Sequence, residues 1–418
     1  MKGMPTHSSF SAPAASRQRR PSAVLSLYLL LIVVGLCISP SAAGKKRVRE
    51  KCAAELGLIK SGISAEDVIA QHKLFCNASR VNFANEVLGF VTPWNEGGFK
   101  TSYYFRRKLT YVSPVWLRVI ERGEGTGEGQ QVSGDFQFAG LDVIDSDWVE
   151  VISEPTDSNT RTLVVPRIAV EDFRNSSKLE SFLTQPQVFV DFVSQLCSDR
   201  GFHGVVIEGI ILMVEGVKQT AKSWLKSVGE GLQHQGLIAM FVLPPFNRLD
   251  DVDLRVPFTF DDMRDLSSSI HRFVLMTYDH TLGRTPGPSA PIQWLERIVS
   301  GLLTPKDPST PPNAASQLLM GLPFYGRTWD LSESRKAVAS SILGQEIVTL
   351  LKSAPATLHW DDQAKEHHAD VQVSDGTVRI YFPTLKFLEE RLELARRVGV
   401  GVSIWELGQG HDYFWDLL

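Results

Sequence analysis

The chain has 418 residues, 43% hydrophobic and 22% charged, with 43 Lys and Arg against 47 Asp and Glu and a net charge of −4. That composition excludes a disordered chain, a collagen and a disulfide-dense mini-scaffold, and it offers no basic excess to neutralise nucleic-acid phosphates. The length suits two or three domains, or one large barrel.

The first element is Ser22–Ile38, an apolar run without charge. Arg17, Arg19 and Arg20 precede it, and Ser41-Ala42-Ala43 follow, the three-part pattern of a secretory signal peptide. The run is also just long enough to span a bilayer, so an uncleaved anchor is the alternative for residues 1–43. Both readings place the remainder in the secretory lumen or outside the cell. Residues 1–43 hold four basic and no acidic residues, which leaves 39 basic against 47 acidic, a net of −8. Cys37 lies in that segment. Of the other three, Cys52 and Cys76 share the N-terminal extension and are the expected disulfide, and Cys197 is expected as a packed thiol. Asn77-Ala78-Ser79 and Asn175-Ser176-Ser177 are candidate glycosylation sequons.

Residues 44–86 read as a polar extension. Ser64 and Asp67 form a capping box ahead of Val68, Ile69 and Leu74. From Val87 the pattern changes to short apolar runs at 87–91, 109–117, 162–168, 203–212, 237–244, 273–279, 318–326 and 400–408. Most are apolar on both faces, as parallel strands covered on both sides require. Helical periodicity separates them, as in residues 188–201 and 385–399. Eight strands alternating with helices predict an α/β fold, a (β/α)8 barrel over residues 87–418. An open doubly wound sheet is the alternative, but the first strand ends Thr92-Pro93-Trp94-Asn95, with no glycine-rich phosphate loop. Residues 328–383 read as a small insertion between strands seven and eight, with a hairpin turning at Asp375-Gly376.

The site of such a barrel forms at the C-terminal strand ends. Trp94, Trp116, Tyr278, Asp279, Tyr325, Arg327, Trp405 and Glu406 fall at or beside predicted ends. Aromatic rings among a few polar groups suit a sugar, whose apolar face stacks while its hydroxyls meet donors and acceptors.

Four of these segments resemble the family 18 chitinases and chitinase-like lectins. They are Gly89-Phe90-Val91-Thr92-Pro93-Trp94, Met276-Thr277-Tyr278-Asp279, Gly321-Leu322-Pro323-Phe324-Tyr325-Gly326-Arg327 and Gly401-Val402-Ser403-Ile404-Trp405-Glu406. They occur in the family's order and cover residues 87–418. The resemblance implies a pocket that binds oligosaccharides, such as chitooligosaccharides, through Trp94, Trp116, Glu208, Tyr278, Asp279, Tyr325, Arg327 and Trp405. It also implies lysosomal or secretory-granule traffic, glycans such as lipopolysaccharide, and a scavenger-receptor partner in animals. An acidic surface makes phosphate-bearing lipopolysaccharide the least fitting of these.

The fourth strand departs from the resemblance. The family signature is Asp-Gly-x-Asp-x-Asp-x-Glu, whereas this chain has His203, Val206, Glu208 and Ile210 at the four acidic positions. Family 18 hydrolysis is substrate-assisted: the acetamide oxygen attacks the anomeric carbon and the final Glu protonates the leaving oxygen. Ile210 cannot donate a proton, and loss of a positioned acid removes about 10²–10⁴ in rate. Pro166-Arg167-Ile168-Ala169 likewise replaces the family's Ser-x-Gly-Gly. The expectation is therefore a lectin without catalysis. Its rivals are a hydrolase using Glu208 or Glu406 as a relocated acid, and a protein-interaction scaffold with a vestigial pocket. Glu208 itself has three readings: an ion pair with a cation such as Arg167, a ligand contact, or that replacement acid. His203 reads as structural. His367-His368 with Asp361 and Asp362 has no trusted ligand spacing, and no metal or cofactor is expected.

Overall fold

Eight strands close into a parallel barrel in the computed structural model, which describes residues 51–122, 130–156, 161–209, 216–243, 258–331 and 339–418. The segment 1–43, Cys37 and Ile210 lie outside the described residues. The strands are β1 (Val87–Val91), β2 (Tyr111–Glu121), β3 (Arg167–Val170), β4 (Gly204–Glu208), β5 (Ile238–Leu243), β6 (Arg272–Leu275), β7 (Leu318–Pro323) and β8 (Gly401–Trp405). Each pairs in parallel with the next, and β8 pairs with β1. The expected (β/α)8 architecture is thus present.

Period-two alternation splits the apolar residues into two layers. Leu88, Phe90, Val115, Val206, Met240, Val242 and Val274 fill the lumen. Val205, Ile207, Phe241, Phe273, Val402 and Ile404 face the surrounding helices. Those helices include α1 (Ala65–Gln71), α2 (Glu96–Tyr104), α3 (Ser146–Ser153), α4 (Ser176–Leu183), α5 (Pro186–Arg200), α6 (Lys218–His234), α7 (Phe260–Leu266), α8 (Ile292–Leu303), α9 (Gly344–Ser353) and α10 (Leu385–Val398). The periodicity over 385–399 forms α10, which buries Leu385, Leu388, Leu392 and Ala395, and Gly399 ends the helix at φ 83°. Cys197 on α5 is buried, and burial pushes its thiol up to about 12, so it is an inert packing group.

Three local features differ from the sequence reading. Pro166 lacks an amide hydrogen and splits the third run into Leu163–Val164 and Arg167–Val170, both paired with β2. The second strand runs on to Glu121, and a hairpin, Gln130–Ser133 with Phe136–Ala139, pairs antiparallel with its projecting end. The insertion begins at Gly326 and forms a five-stranded antiparallel sheet. Its strands are Gly326–Asp330, Ser340–Ile342, Leu358–Asp361, Glu366–Val373 and Gly376–Phe382. Val373 pairs with Gly376, so its hairpin turns at Ser374-Asp375, one residue earlier than expected.

The N-terminal extension is tied to the other end of the chain. Ser64 and Asp67 make the capping box of α1, and Cys52 is bonded to Cys76. Asp416 accepts from the Ala53 N–H at 2.8 Å and the Cys76 N–H at 2.9 Å. Lys108, itself buried, donates to the Leu418 carbonyl at 2.7 Å. Asn77 and Asn175 are both exposed, and each spends its side-chain oxygen on a local turn. Asp416→Ala leaves two amides without acceptors, at a cost of about 2–3 kcal/mol. Its expected signature is a lower denaturant midpoint with faster proteolysis of residues 51–86.

Candidate functional site

The lumen changes character where its strands end. Along β4 the alternation that buries Val206 brings Glu208 to the same face, at the C-terminal mouth. Along β3, Ile168 and Val170 face outward, which leaves Arg167 on the lumen side. The two side chains meet: Arg167 Nε donates to Glu208 Oε2 at 2.5 Å, with side-chain exposures of 14% and 18%. Burial would depress the arginine, but the Glu208 carboxylate more than restores it and holds it above its ordinary value. A cavity of about 260 Å³ opens beside this pair, lined by Ala169, Glu171, Phe173 and Arg174 among others.

A second pair occupies the opposite side of the mouth. Asp279 follows β6 with φ 63°, a left-handed conformation rarely adopted by a residue with a side chain. Its Oδ1 accepts from Tyr325 Oη at 2.6 Å, Arg327 Nε at 2.9 Å and Arg327 Nη2 at 2.6 Å. Arg327 also donates to Ser341 Oγ at 2.9 Å and lies over the Tyr325 ring. Burial first, then the carboxylates of Glu208 and Asp279, push the Tyr278 phenol well above its usual range. Tyr325 is raised in the same direction by burial and Asp279. Both phenols are therefore neutral donors at any physiological pH. Gly321 is required beneath them: a Cβ there would sit 2.2 Å from the Leu275 carbonyl and 3.0 Å from the Tyr278 ring. Trp405 is half-buried and stands 5.3 Å from Phe90 between ring centroids, over the apolar lumen.

The structure therefore brings together Arg167, Glu208, Tyr278, Asp279, Tyr325, Arg327 and Trp405 at one end of the barrel. Trp94 lies in the loop after β1 and is 70% exposed. Trp116 does not join them. It is 5% exposed and packs among Phe99, Trp148 and Phe202 in the outer layer. A bulge between Val115 and Leu117 breaks the alternation there, and the strand continues past Trp116, so this ring offers no face to a ligand. His203 sits at the N-terminal end of β4, where its Nδ1 accepts from the Val164 N–H. His367 and His368 point to opposite faces of the insertion sheet: His367 bonds Thr384 and the Ser61 carbonyl, while His368 stacks on Tyr381. The sequence cluster with Asp361 and Asp362 does not converge. Larger clefts, of about 560 and 390 Å³, lie on the outside of the barrel against α5 and α8, away from these groups.

Glu406 faces away from the pocket. It is fully buried; its Oε2 accepts from Asn95 Nδ2 at 2.7 Å and its Oε1 from the Gly408 N–H at 3.2 Å. A Cβ on Gly98 would fall 2.5 Å from Oε1, so α2 needs glycine to pass this carboxylate. Glu406 thus pins the loop that carries Trp94. Burial raises its pKa from 4.5 to about 7, opposed only in part by Gly408 and Asn95. The folded protein holds this proton where the unfolded chain has lost it. The resulting stabilisation is full below about pH 4.5 and disappears as pH rises through 7. Glu406→Gln is expected to flatten that limb of a stability-versus-pH curve, recorded by denaturant unfolding between pH 5 and 8.

Known proteins share this frame. The sequence pattern of glycosyl hydrolases family 18 matches residues 168–410, more than half of the chain. A glycosylase of Bacillus subtilis, YvbX, is 21% identical over 263 residues, which is 59% of this chain and 70% of that protein. Among solved structures, a chitinase from Chromobacterium violaceum superimposes with a TM-score of 0.64 at 17% identity, over 80% of this chain and 98% of its own. The spore cortex-lytic enzyme SleL of Bacillus cereus gives 0.62 at 15% identity, over 81% and 74%. A chitinase from Cycas revoluta, solved with (GlcNAc)4, gives 0.60 at 15% identity, over 79% and 97%. With the closed barrel and a family match that runs from β3 through β8, this chain belongs to glycosyl hydrolases family 18.

Proposed function

We propose that the protein is a glycan-binding member of its family that does not hydrolyse its ligand. One observation carries the reading. Both lumen-side carboxylates at the strand ends, Glu208 and Asp279, are engaged by arginines, while the rings and donors around them keep the composition of a sugar site. Ile210 stands where the family's general acid belongs, so no proton donor is supplied by that position. Glu406 is a poor substitute, because it is fully buried on the far side of the strand end. The ligand class follows from the pocket: Trp405 as an apolar floor, Tyr278 as a neutral donor, and Asp279 as an acceptor. Chitooligosaccharides or related glycans match that set, and the Cycas revoluta chitinase was solved with such a ligand.

The same proposal places the protein in the lumen of the secretory pathway or outside the cell. The apolar segment Ser22–Ile38 supports it, and so does the Cys52–Cys76 disulfide, which persists in oxidising compartments.

Calorimetry of the full chain against a glycan panel tests binding. Trp405→Ala is expected to weaken the best ligand at least tenfold, about 1.4 kcal/mol. Incubation with chitotetraose, followed by mass spectrometry, tests the second half. The expected outcome is intact tetraose; turnover that disappears in Glu208→Gln makes the protein an enzyme and overturns the reading.

A further inference from the structure

Asp279 holds an unfavourable backbone conformation, and its surroundings show what maintains it. A left-handed φ at a residue with a side chain persists only where neighbours over-determine it. The Asp279 N–H donates to Ser289 Oγ at 3.3 Å, and the His280 N–H donates to the Ser289 carbonyl at 2.8 Å. Ser289 is therefore the clamp that closes the loop following β6. It is itself fixed from the insertion. The Ser289 N–H donates to Glu366 Oε2 at 2.9 Å and the Ala290 N–H to Glu366 Oε1 at 2.6 Å. Glu366 is 1% exposed, and Arg391 on α10 is fully buried beside it. Arg391 Nη2 donates to Glu366 Oε1 at 3.3 Å and to the Ala290 carbonyl at 2.5 Å, and its Nη1 reaches the Lys365 and Phe387 carbonyls. A second tether runs from the same sheet, where Trp329 Nε1 donates to the Gly283 carbonyl at 3.0 Å.

The consequence appears at the other end of the chain of contacts. All three donors on the Asp279 side chain meet Oδ1. Among the described residues, Oδ2 has no hydrogen-bond partner. Rotation of the Asp279 backbone out of its left-handed well would move Tyr325, Arg327 and this free acceptor together.

We infer that Ser289, Glu366 and Arg391 are positioning residues, which hold Asp279 so that its Oδ2 presents to a ligand hydroxyl, and that the insertion sheet is thereby a working part of the pocket. The inference rests on the glycan-pocket reading for its ligand, but the conformational half stands without it. A buried carboxylate–guanidinium pair on a distant helix and strand is otherwise an expensive way to close one loop.

Two measurements on the full chain test it. Amide hydrogen exchange of residues 279–290 is expected to accelerate about tenfold in Ser289→Ala and in Glu366→Gln, and to return to the wild-type rate in Ser289→Thr, which keeps the hydroxyl. Unchanged exchange in Ser289→Ala overturns the inference whether or not any glycan binds. Chitotetraose affinity, by calorimetry, is expected to fall about tenfold in Ser289→Ala and to recover in Ser289→Thr. In an Asp279→Ala background, Ser289→Ala is expected to cost nothing further, because the two act as one unit. Equal losses in both backgrounds reduce Ser289 to a general structural role and overturn the positioning claim. If the wild type binds no chitotetraose while exchange responds as expected, the ligand assignment fails and the clamp on Asp279 stands.

Discussion

Closure of the parallel barrel is the constraint from which the site follows. Each strand must place alternate residues in a lumen just wide enough for side chains, and Leu88, Val206, Met240 and Val274 fill it. That apolar plug is a low-dielectric floor. Polar groups set directly above it, at the strand ends, interact more strongly than they would at an open surface. Arg167 and Glu208 therefore have little choice but to pair. An unpaired charge at that depth costs several kcal/mol, and the partner across adjacent strands is within reach. The same argument applies to Asp279 and Arg327 on the opposite wall.

The barrel was legible because its strands are apolar on both faces, a pattern that few other architectures require. The strand-end motifs were legible because each sits where a strand stops. Trp116 was misread because its position depends on two facts that are not local: a bulge that breaks alternation, and a strand that continues to Glu121 by pairing with an unpredicted hairpin. The pairing of Glu208 with Arg167 was open in the sequence, since it depends on the register between β3 and β4, which sets Arg167 beside Val206 and Ala169 beside Glu208. Ser289, Glu366 and Arg391 gave no signal. A serine in a loop, a glutamate in a strand and an arginine in an amphipathic helix are ordinary residues. Only their convergence in space distinguishes them.

The two sides of the mouth are held together in different ways. On the β3–β4 side, Arg167 and Glu208 meet across paired strands above Val206. The cation and the carboxylate neutralise one another at 2.5 Å. On the β6–β7 side the polar groups form a longer network. Asp279 is bonded to Tyr325 and Arg327, its loop to Ser289, that loop to Glu366, and Glu366 to Arg391 on α10. Replacement of any one member strands a buried polar group in another, at about 1–3 kcal/mol each. A substitution at the short pair therefore disturbs fewer hydrogen-bond partners than one in the connected network. The glycan-binding, non-hydrolytic reading proposed above draws on that asymmetry.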